Sequence, residues 1–209
     1  MKTFKQYLAE KLGVNYVQDG TYRWEEDIDL LTKEIKEKCQ PFIKAAGNLP
    51  MFRCMVPPEN YIRKVRKDRQ PQNSLPFDHD VMNAWFDENF GVKHRSESLF
   101  VAGGSKIDEL TELYHDTYYG VFPIGDFKFV WSPEYFDVWA ELDTSYPQST
   151  RNDEEKANRK QQVLKILTNG KYSDKDLQSA LRSGNEMMIE CDEYVIVPAD
   201  MMVKMGYKW

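Results

Sequence analysis

The sequence contains no long hydrophobic run and few cysteine or histidine residues. No stretch approaches 18 uncharged apolar residues, so we expect no transmembrane helix and no membrane partner. The first residues carry charges where a signal peptide would need its apolar region, so we expect no secretory signal. The three cysteines are widely spaced and predict neither a disulfide framework nor a metal site, and the three histidines have no metal-binding spacing. The sequence therefore predicts a cytoplasmic protein without a metal.

The charge balance is acidic but not extreme. The formal net charge is −6, which argues against nonspecific coating of nucleic acid but is compatible with a local basic groove. Hydrophobic residues make up 41% of the 209 residues and aromatic residues 13%, which is enough to form a core and excludes a wholly disordered chain. We expect one domain of ordinary size, or one domain with an appendage.

Hydrophobic spacing divides the chain into a helical beginning and a mixed remainder. Apolar residues at helical spacing predict helices over residues 1–48, whereas short apolar runs alternate with helical segments over residues 49–209. The pattern predicts an α+β domain with an N-terminal helical appendage. The predicted strands cover residues 51–56, 98–102, 118–124, 127–131, 186–189 and 194–198. A turn at Gly125-Asp126 is expected to join the third and fourth of these strands as a hairpin.

Two charged residues stand out because of their positions in apolar strands. Arg53 interrupts the first strand, where a buried charge is costly unless it is paired or meets an anion. The alternative is an arginine that points to water, since strands alternate faces. Glu186 follows a Ser-Gly-Asn turn at the mouth of a late strand, a position typical of functional side chains. A solvated glutamate at the start of the strand is the alternative.

Two further segments are candidates for contacting a ligand. Ser98 precedes a predicted buried strand that opens into Gly103-Gly104, and glycines allow a backbone to approach a ligand closely, although an ordinary turn is the alternative. The surrounding sequence matches neither the dinucleotide-fold nor the P-loop motif. A basic stretch can bind phosphates or form a solvated cationic face. Its cationic residues are Arg63, Lys64, Arg66, Lys67 and Arg69.

The order of these segments resembles the Arg–Ser–Glu arrangement of ADP-ribosyltransferases. MFRCM at residues 51–55 is similar to the family's aromatic-Arg-Gly strand, with Cys54 at the usual glycine. LFVAGG at residues 99–104 lies where the family has its Ser-Thr-Ser strand, and SGNEMMI at residues 183–189 is similar to the segment that carries the catalytic glutamate. The resemblance covers roughly residues 50–200. The opening MKTFKQYLAE is similar to the N-termini of many tailed-phage proteins.

The resemblance implies both a fold and an activity. The fold would be two small packed sheets around a cleft that Arg53 and Glu186 line together. The activity would be transfer of ADP-ribose from NAD to a macromolecule, or hydrolysis of NAD, by a phage protein in the host cytoplasm. Glu186 would be the catalytic carboxylate, and Arg53 would serve both catalysis and NAD binding. The other residues implied to contact NAD are Cys54, Ser98, Gly103, Gly104, Tyr119 and Arg69.

Two questions stay open at the level of sequence. The acceptor is either protein or nucleic acid, or water in the hydrolytic reaction. A non-catalytic module that binds nucleic acid or protein, associated with the virion, is the alternative to an enzyme. Arg53 and Glu186 favour the enzyme, whereas the altered Ser-Thr-Ser segment favours the binding module.

Overall fold

The computed structural model describes residues 28–55, 61–65, 76–93, 99–103, 118–143 and 152–208, which contain seven helices and seven strands. The helices are α1 (Ile28–Lys38), α2 (Gln40–Ala46), α3 (Pro76–Phe90), α4 (Val138–Asp143), α5 (Asp153–Asn169), α6 (Leu177–Ser183) and α7 (Ala199–Lys204). The strands are β1 (Met51–Cys54), β2 (Ile62–Lys64), β3 (Leu99–Gly103), β4 (Tyr118–Pro123), β5 (Lys128–Trp131), β6 (Glu186–Glu190) and β7 (Glu193–Pro198).

The described strands form one antiparallel sheet in the order β2-β7-β4-β1-β3-β6-β5. The mixed α+β class predicted from the sequence is confirmed. The expectation of two separate sheets is wrong for this part of the chain, because β3 pairs with both β1 and β6 and the ladder continues through it. Apolar runs predict where strands lie, but they do not specify whether neighbouring ladders join.

The hairpin expected at Gly125-Asp126 does not form. Both strands exist, but β4 pairs with β1 and β7, whereas β5 pairs with β6 at the sheet edge. Gly125 adopts a left-handed φ of 69°, and its N–H donates to the carbonyl of Lys38 at 2.9 Å. The turn is therefore anchored on α1, and the chain crosses to the far side of the sheet instead of pairing back on itself.

The described part of the N-terminal helical segment shares its core with the sheet. Leu31 and Ile35 lie one helical turn apart and are both buried. Pro41 lies in the first turn of α2, where a missing backbone N–H is tolerated, and it prevents α1 from continuing as one regular helix. The Phe42 ring then packs edge-on against Phe122 of β4, with 6.0 Å between ring centroids. Residues 1–27 lie outside the described residues.

Both faces of β6 are covered, which explains its uninterrupted apolar run. Met187 and Ile189 belong to the cluster that includes α6, whereas Met188 points the other way and packs with α3, α4 and α5. Successive side chains of a strand alternate between faces, so three consecutive apolar residues require a core on each side. The residue that precedes this run, Glu186, lies on the same face as Met188.

A buried ion pair joins α3 to α5 within the helical layer on that face. The side chains of Asp78 and Arg159 are only 2% and 3% exposed. Nε of Arg159 donates to both carboxylate oxygens of Asp78, at 2.9 and 3.1 Å. Nη2 of Arg159 also donates to Oδ2 of Asp78. Desolvation of both charges offsets much of their attraction, but removal of one partner leaves the other charged and buried.

We expect Arg159→Met to lower the free energy of unfolding by about 3–5 kcal/mol, because the Asp78 carboxylate would remain buried without its partner. Urea unfolding measures the change. Lys171→Met is the matched control, since it breaks an ion pair with Glu134 whose side chains are 70% and 43% exposed. The control should lower stability far less than Arg159→Met, because exposed ion pairs contribute little. Equal effects of the two variants would contradict the buried pair.

A glycine allows α6 to lie directly on β3. A Cβ atom added at Gly103 would lie 1.7 Å from the carbonyl oxygen of Leu181, a backbone atom that cannot rotate away. Gly103 was expected to admit a ligand, but a helix occupies the space beside it. The glycine is required here for packing between elements.

Gly103→Ala should therefore destabilise the fold by about 3 kcal/mol, the upper end of the usual cost of overpacking a core. Thermal and urea unfolding measure the loss. Gly125→Asn is the control, because the space around Gly125 is open and asparagine tolerates a left-handed φ. We expect the control to change stability by less than about 1 kcal/mol. A stable Gly103→Ala variant would contradict the close packing of α6 against β3.

Candidate functional site

Glu186 is the first residue of β6 and is held there by its backbone. Helix α6 ends at Ser183, and its C-cap Gly184 has a left-handed φ of 70° that turns the chain into the strand. The Glu186 N–H donates to the carbonyl of Phe136 at 3.0 Å. The residue is half-buried. The strand predicted to begin at Glu186 is confirmed.

Glu186 is one of several ionisable groups near the Tyr172 phenol. Burial raises the pKa of the Tyr172 phenol above its ordinary value of 10, and the negative charge of Glu186 raises it further. Weaker contributions in the same direction come from Tyr135, Asp137 and Glu141. The phenol of Tyr172 therefore has Glu186 and further carboxylates as electrostatic neighbours, and several negative charges near one position favour a positively charged group there.

The Tyr172 ring connects this site to the core. It packs edge-on against Phe86, with 4.8 Å between ring centroids, and against Trp85 at 5.8 Å. Gly170 allows this arrangement, because an added Cβ would lie 2.6 Å from the Tyr172 ring and 3.0 Å from the Tyr135 ring. Two tyrosine side chains thus lie close together over the end of α5.

The three segments that resemble an ADP-ribosyltransferase lie on neighbouring strands, but the strand register places Arg53 and Glu186 on opposite faces of the sheet. Phe52 pairs with Ala102, and Ala102 pairs with Glu186, so these three side chains share one face of the sheet. Arg53 follows Phe52 and must point to the other face, where it lies beside Tyr119. The expectation that Arg53 and Glu186 line one cleft is therefore contradicted by the pairing.

The other residues expected to contact NAD are similarly divided. Tyr119 shares the face of Arg53, and burial followed by the charge of Asp200 raises the pKa of its phenol. Gly103 also belongs to that face, beneath α6. Cys54 is half-buried at the end of β1, on the face of Glu186. Three further candidates, Ser98, Gly104 and Arg69, lie outside the described residues.

The described part of the basic stretch lies far from Glu186. Arg63 and Lys64 belong to β2, an edge strand five strand-to-strand steps from β6. At roughly 4.8 Å per step, this separation is about 24 Å along the sheet. Lys64 lies 3.9 Å from the carboxylate of Glu193. These two cations therefore cannot hold the phosphates of a ligand whose reacting bond lies at Glu186.

Sequence reasoning missed Tyr172 and the segment that is hydrogen-bonded to the backbone of Glu186. Tyr135 and Asp137 lie in the segment that follows β5, and Tyr172 follows α5, so neither segment is close to Glu186 along the chain. The one local signal is the dense aromatic and acidic segment EYFDVWAE at residues 134–141. No spacing rule connects that segment to residue 186, because the pairing of β5 with β6 brings them together.

Comparisons of the chain with protein-family models, with curated proteins and with solved structures found no match. Among the described residues, no group of three or more histidine, cysteine or acidic side chains is arranged to hold a metal ion. No helix within the same part of the chain is both long enough and apolar enough to cross a membrane.

The reactivity of the three cysteines tests how deeply each of them is buried. Cys39 is fully buried, and burial raises the pKa of its thiol to about 12, so its reactive thiolate is nearly absent at pH 8. Cys191 is buried, whereas Cys54 is half-buried. We expect a thiol reagent to label Cys54 first in the native chain and to label all three cysteines in denaturant. Rapid native labelling that persists in Cys54→Ser would contradict this assignment.

Proposed function

We propose that the chain cleaves the bond between nicotinamide and ribose in NAD at a site centred on Glu186. The products would be nicotinamide and ADP-ribose joined to a macromolecular acceptor or to water. The observation that carries the proposal is the adjacency of β1, β3 and β6. These strands hold the three segments that resemble an ADP-ribosyltransferase, and β3 lies between the other two.

The chemistry of this reaction suits an acidic site. When the glycosidic bond breaks, its electron pair goes to the nicotinamide nitrogen, which leaves as a neutral ring. The ribose becomes an oxocarbenium-like cation, and a fixed carboxylate stabilises its developing charge. Glu186 supplies that carboxylate, and the charges of Asp137 and Glu141 add to the negative potential. The acceptor oxygen or nitrogen then bonds to the ribose carbon and loses a proton.

The surroundings also suggest how NAD would be oriented. Tyr172 and Tyr135 provide aromatic rings for the cationic nicotinamide end, since a cation over an aromatic face is stabilised. The acidic groups disfavour the pyrophosphate, which would lie away from Asp137 and Glu141. In this arrangement Arg53 has no contact with the reacting bond, because it points to the other face of the sheet. The proposal therefore rests on Glu186 and omits Arg53.

We expect Glu186→Gln to reduce nicotinamide release roughly 100- to 1000-fold while NAD binding is kept, because the amide preserves size but removes the stabilising charge. Steady-state nicotinamide release and calorimetric NAD titration measure the two effects separately. Arg53→Ala should leave the turnover of folded protein unchanged. A Glu186→Gln variant as active as wild type would show that the catalytic carboxylate is misassigned.

Glu190→Gln is the matched control for Glu186→Gln. Glu190 lies at the other end of β6, shares the face of Glu186 and lies 3.3 Å from the ammonium group of Lys128. The substitution makes the same chemical change in the same strand, but away from Tyr172. We expect normal nicotinamide release from this variant. Equal losses in both variants would assign the effect to the strand and not to the site.

A non-catalytic binding module is the second candidate. The observation that favours it is the position of Arg53 and Glu186 on opposite faces of the sheet. A wild-type chain that neither binds NAD nor releases nicotinamide would replace the enzyme with this function. Binding of a labelled oligonucleotide should then weaken steeply with salt, since basic residues that contact phosphates release counterions.

A further inference from the structure

We propose that Asn185 and Ser132 position the Glu186 carboxylate against Tyr172. This inference rests on the proposed function for its catalytic consequence, but the arrangement can be tested without turnover. Neither residue contacts the reacting bond in the proposed reaction. Both act through the backbone segments to which they are hydrogen-bonded, and both lie in the interior.

Ser132 is a buried hub for hydrogen bonds at the end of β5. Its hydroxyl donates to the carbonyl of Gly170 at 2.6 Å, which ties it to the chain leading to Tyr172. The same oxygen accepts from the N–H groups of Glu134 and Tyr135 at 3.1 and 3.0 Å. One hydroxyl thus fixes the segments that carry both tyrosines. It has one donor and two acceptor sites, and all are used.

Asn185 connects this hub to Glu186. Its side-chain amide donates to the carbonyl of Ser132 at 2.9 Å, and its own N–H donates to the hydroxyl of Ser183 at 3.1 Å. The residue is 8% exposed, and the bond from its side chain to Ser132 is buried. The next residue is Glu186, whose N–H is bonded to the carbonyl of Phe136. The strand that starts at Glu186 is therefore locked to the segment that follows β5.

The consequence is a fixed relation between a carboxylate and a phenol that come from distant parts of the chain. Without the Asn185 amide, the Ser132 carbonyl would be buried without this hydrogen-bond donor. The bond from the Glu186 N–H to the Phe136 carbonyl would then hold the start of β6 to that segment without support from the Asn185 side chain. A buried polar group without a hydrogen-bond partner is costly, so the bond from Asn185 to the Ser132 carbonyl favours the native arrangement. Charge-stabilising groups need this kind of support, because displacements of about 1 Å weaken them.

Amide hydrogen exchange of the whole chain, read residue by residue by NMR, tests the positioning directly. In Asn185→Ala we expect the Glu186 amide to exchange at least about tenfold faster than in wild type, relative to the Ile189 amide in the middle of β6. The ratio of the two rates cancels any uniform loss of stability. Asn185→Asp is the second variant if the alanine variant does not fold, because it keeps the size but cannot donate when ionised. An unchanged ratio in the folded variant would overturn the proposal.

Asn152→Ala is the matched control. The Asn152 side chain accepts the Glu155 N–H at 2.9 Å and caps α5, so its loss lowers stability without touching the hub. The Glu186-to-Ile189 exchange ratio should stay at the wild-type value in this variant. The same change of ratio in both variants would overturn the positioning role, because general destabilisation would then explain it.

Turnover separates this inference from the proposed function. Asn185→Ala should lower kcat for nicotinamide release about tenfold with KM unchanged, and should add no further loss in the Glu186→Gln background. Full additivity in the double variant would overturn the positioning of Glu186. A wild-type chain without nicotinamide release would overturn the proposed function alone, and the exchange ratio would then decide the positioning.

Discussion

The close packing of α6 against β3 determines where the candidate site can be. The helix backbone reaches the strand only because Gly103 has no side chain, and an added Cβ would lie 1.7 Å from the Leu181 carbonyl oxygen. Helix α6 leads through Gly184 directly into β6, so the distance from α6 to β3 also fixes the start of β6. Glu186 consequently pairs with Ala102 and faces the helical layer of α3, α4 and α5. A feature that the sequence suggested for ligand binding instead supports the site from the opposite face.

The register of the sheet explains why the linear resemblance and the spatial arrangement differ. A resemblance along the chain depends on the order and approximate spacing of segments, and β1, β3 and β6 do lie side by side. Which face a side chain occupies depends on pairing, and a shift of one residue would move Arg53 to the face of Glu186. That shift would also move Met51 and Phe52 to opposite faces from those where they now pack, and both side chains are buried in their present positions. The core thus determines the register, and the register separates Arg53 from Glu186.

The parts of the fold that the sequence predicts depend on interactions between residues close together in the chain, whereas the parts that it does not predict depend on contacts between distant segments. The β1, β6 and β7 strands follow from local apolar runs, and α1 follows from its stripe of buried residues. Strand β2 was missed inside the basic stretch, because an edge strand can send Arg63 and Lys64 toward water and needs no apolar run. The false hairpin at Gly125 and the surroundings of Glu186 depend on contacts between distant segments. No local pattern contains the pairing of β5 with β6 that brings Tyr135 toward residue 186.

The buried ion pair adds rigidity to the face on which Glu186 lies. Asp78 and Arg159 join α3 to α5, and Phe86 of α3 packs against Tyr172, which follows α5. The position of Tyr172 therefore depends on how these two helices meet, and a charged pair with bidentate geometry permits few alternative alignments. On the other side, the Ser132 hub holds the segments of Tyr135 and Glu186 to the end of the sheet. The segment that carries the candidate carboxylate is thus held by hydrogen bonds on one side and lies next to an ion-paired helical layer on the other. A ligand bound there would meet side chains that a search for the Arg–Ser–Glu pattern does not include.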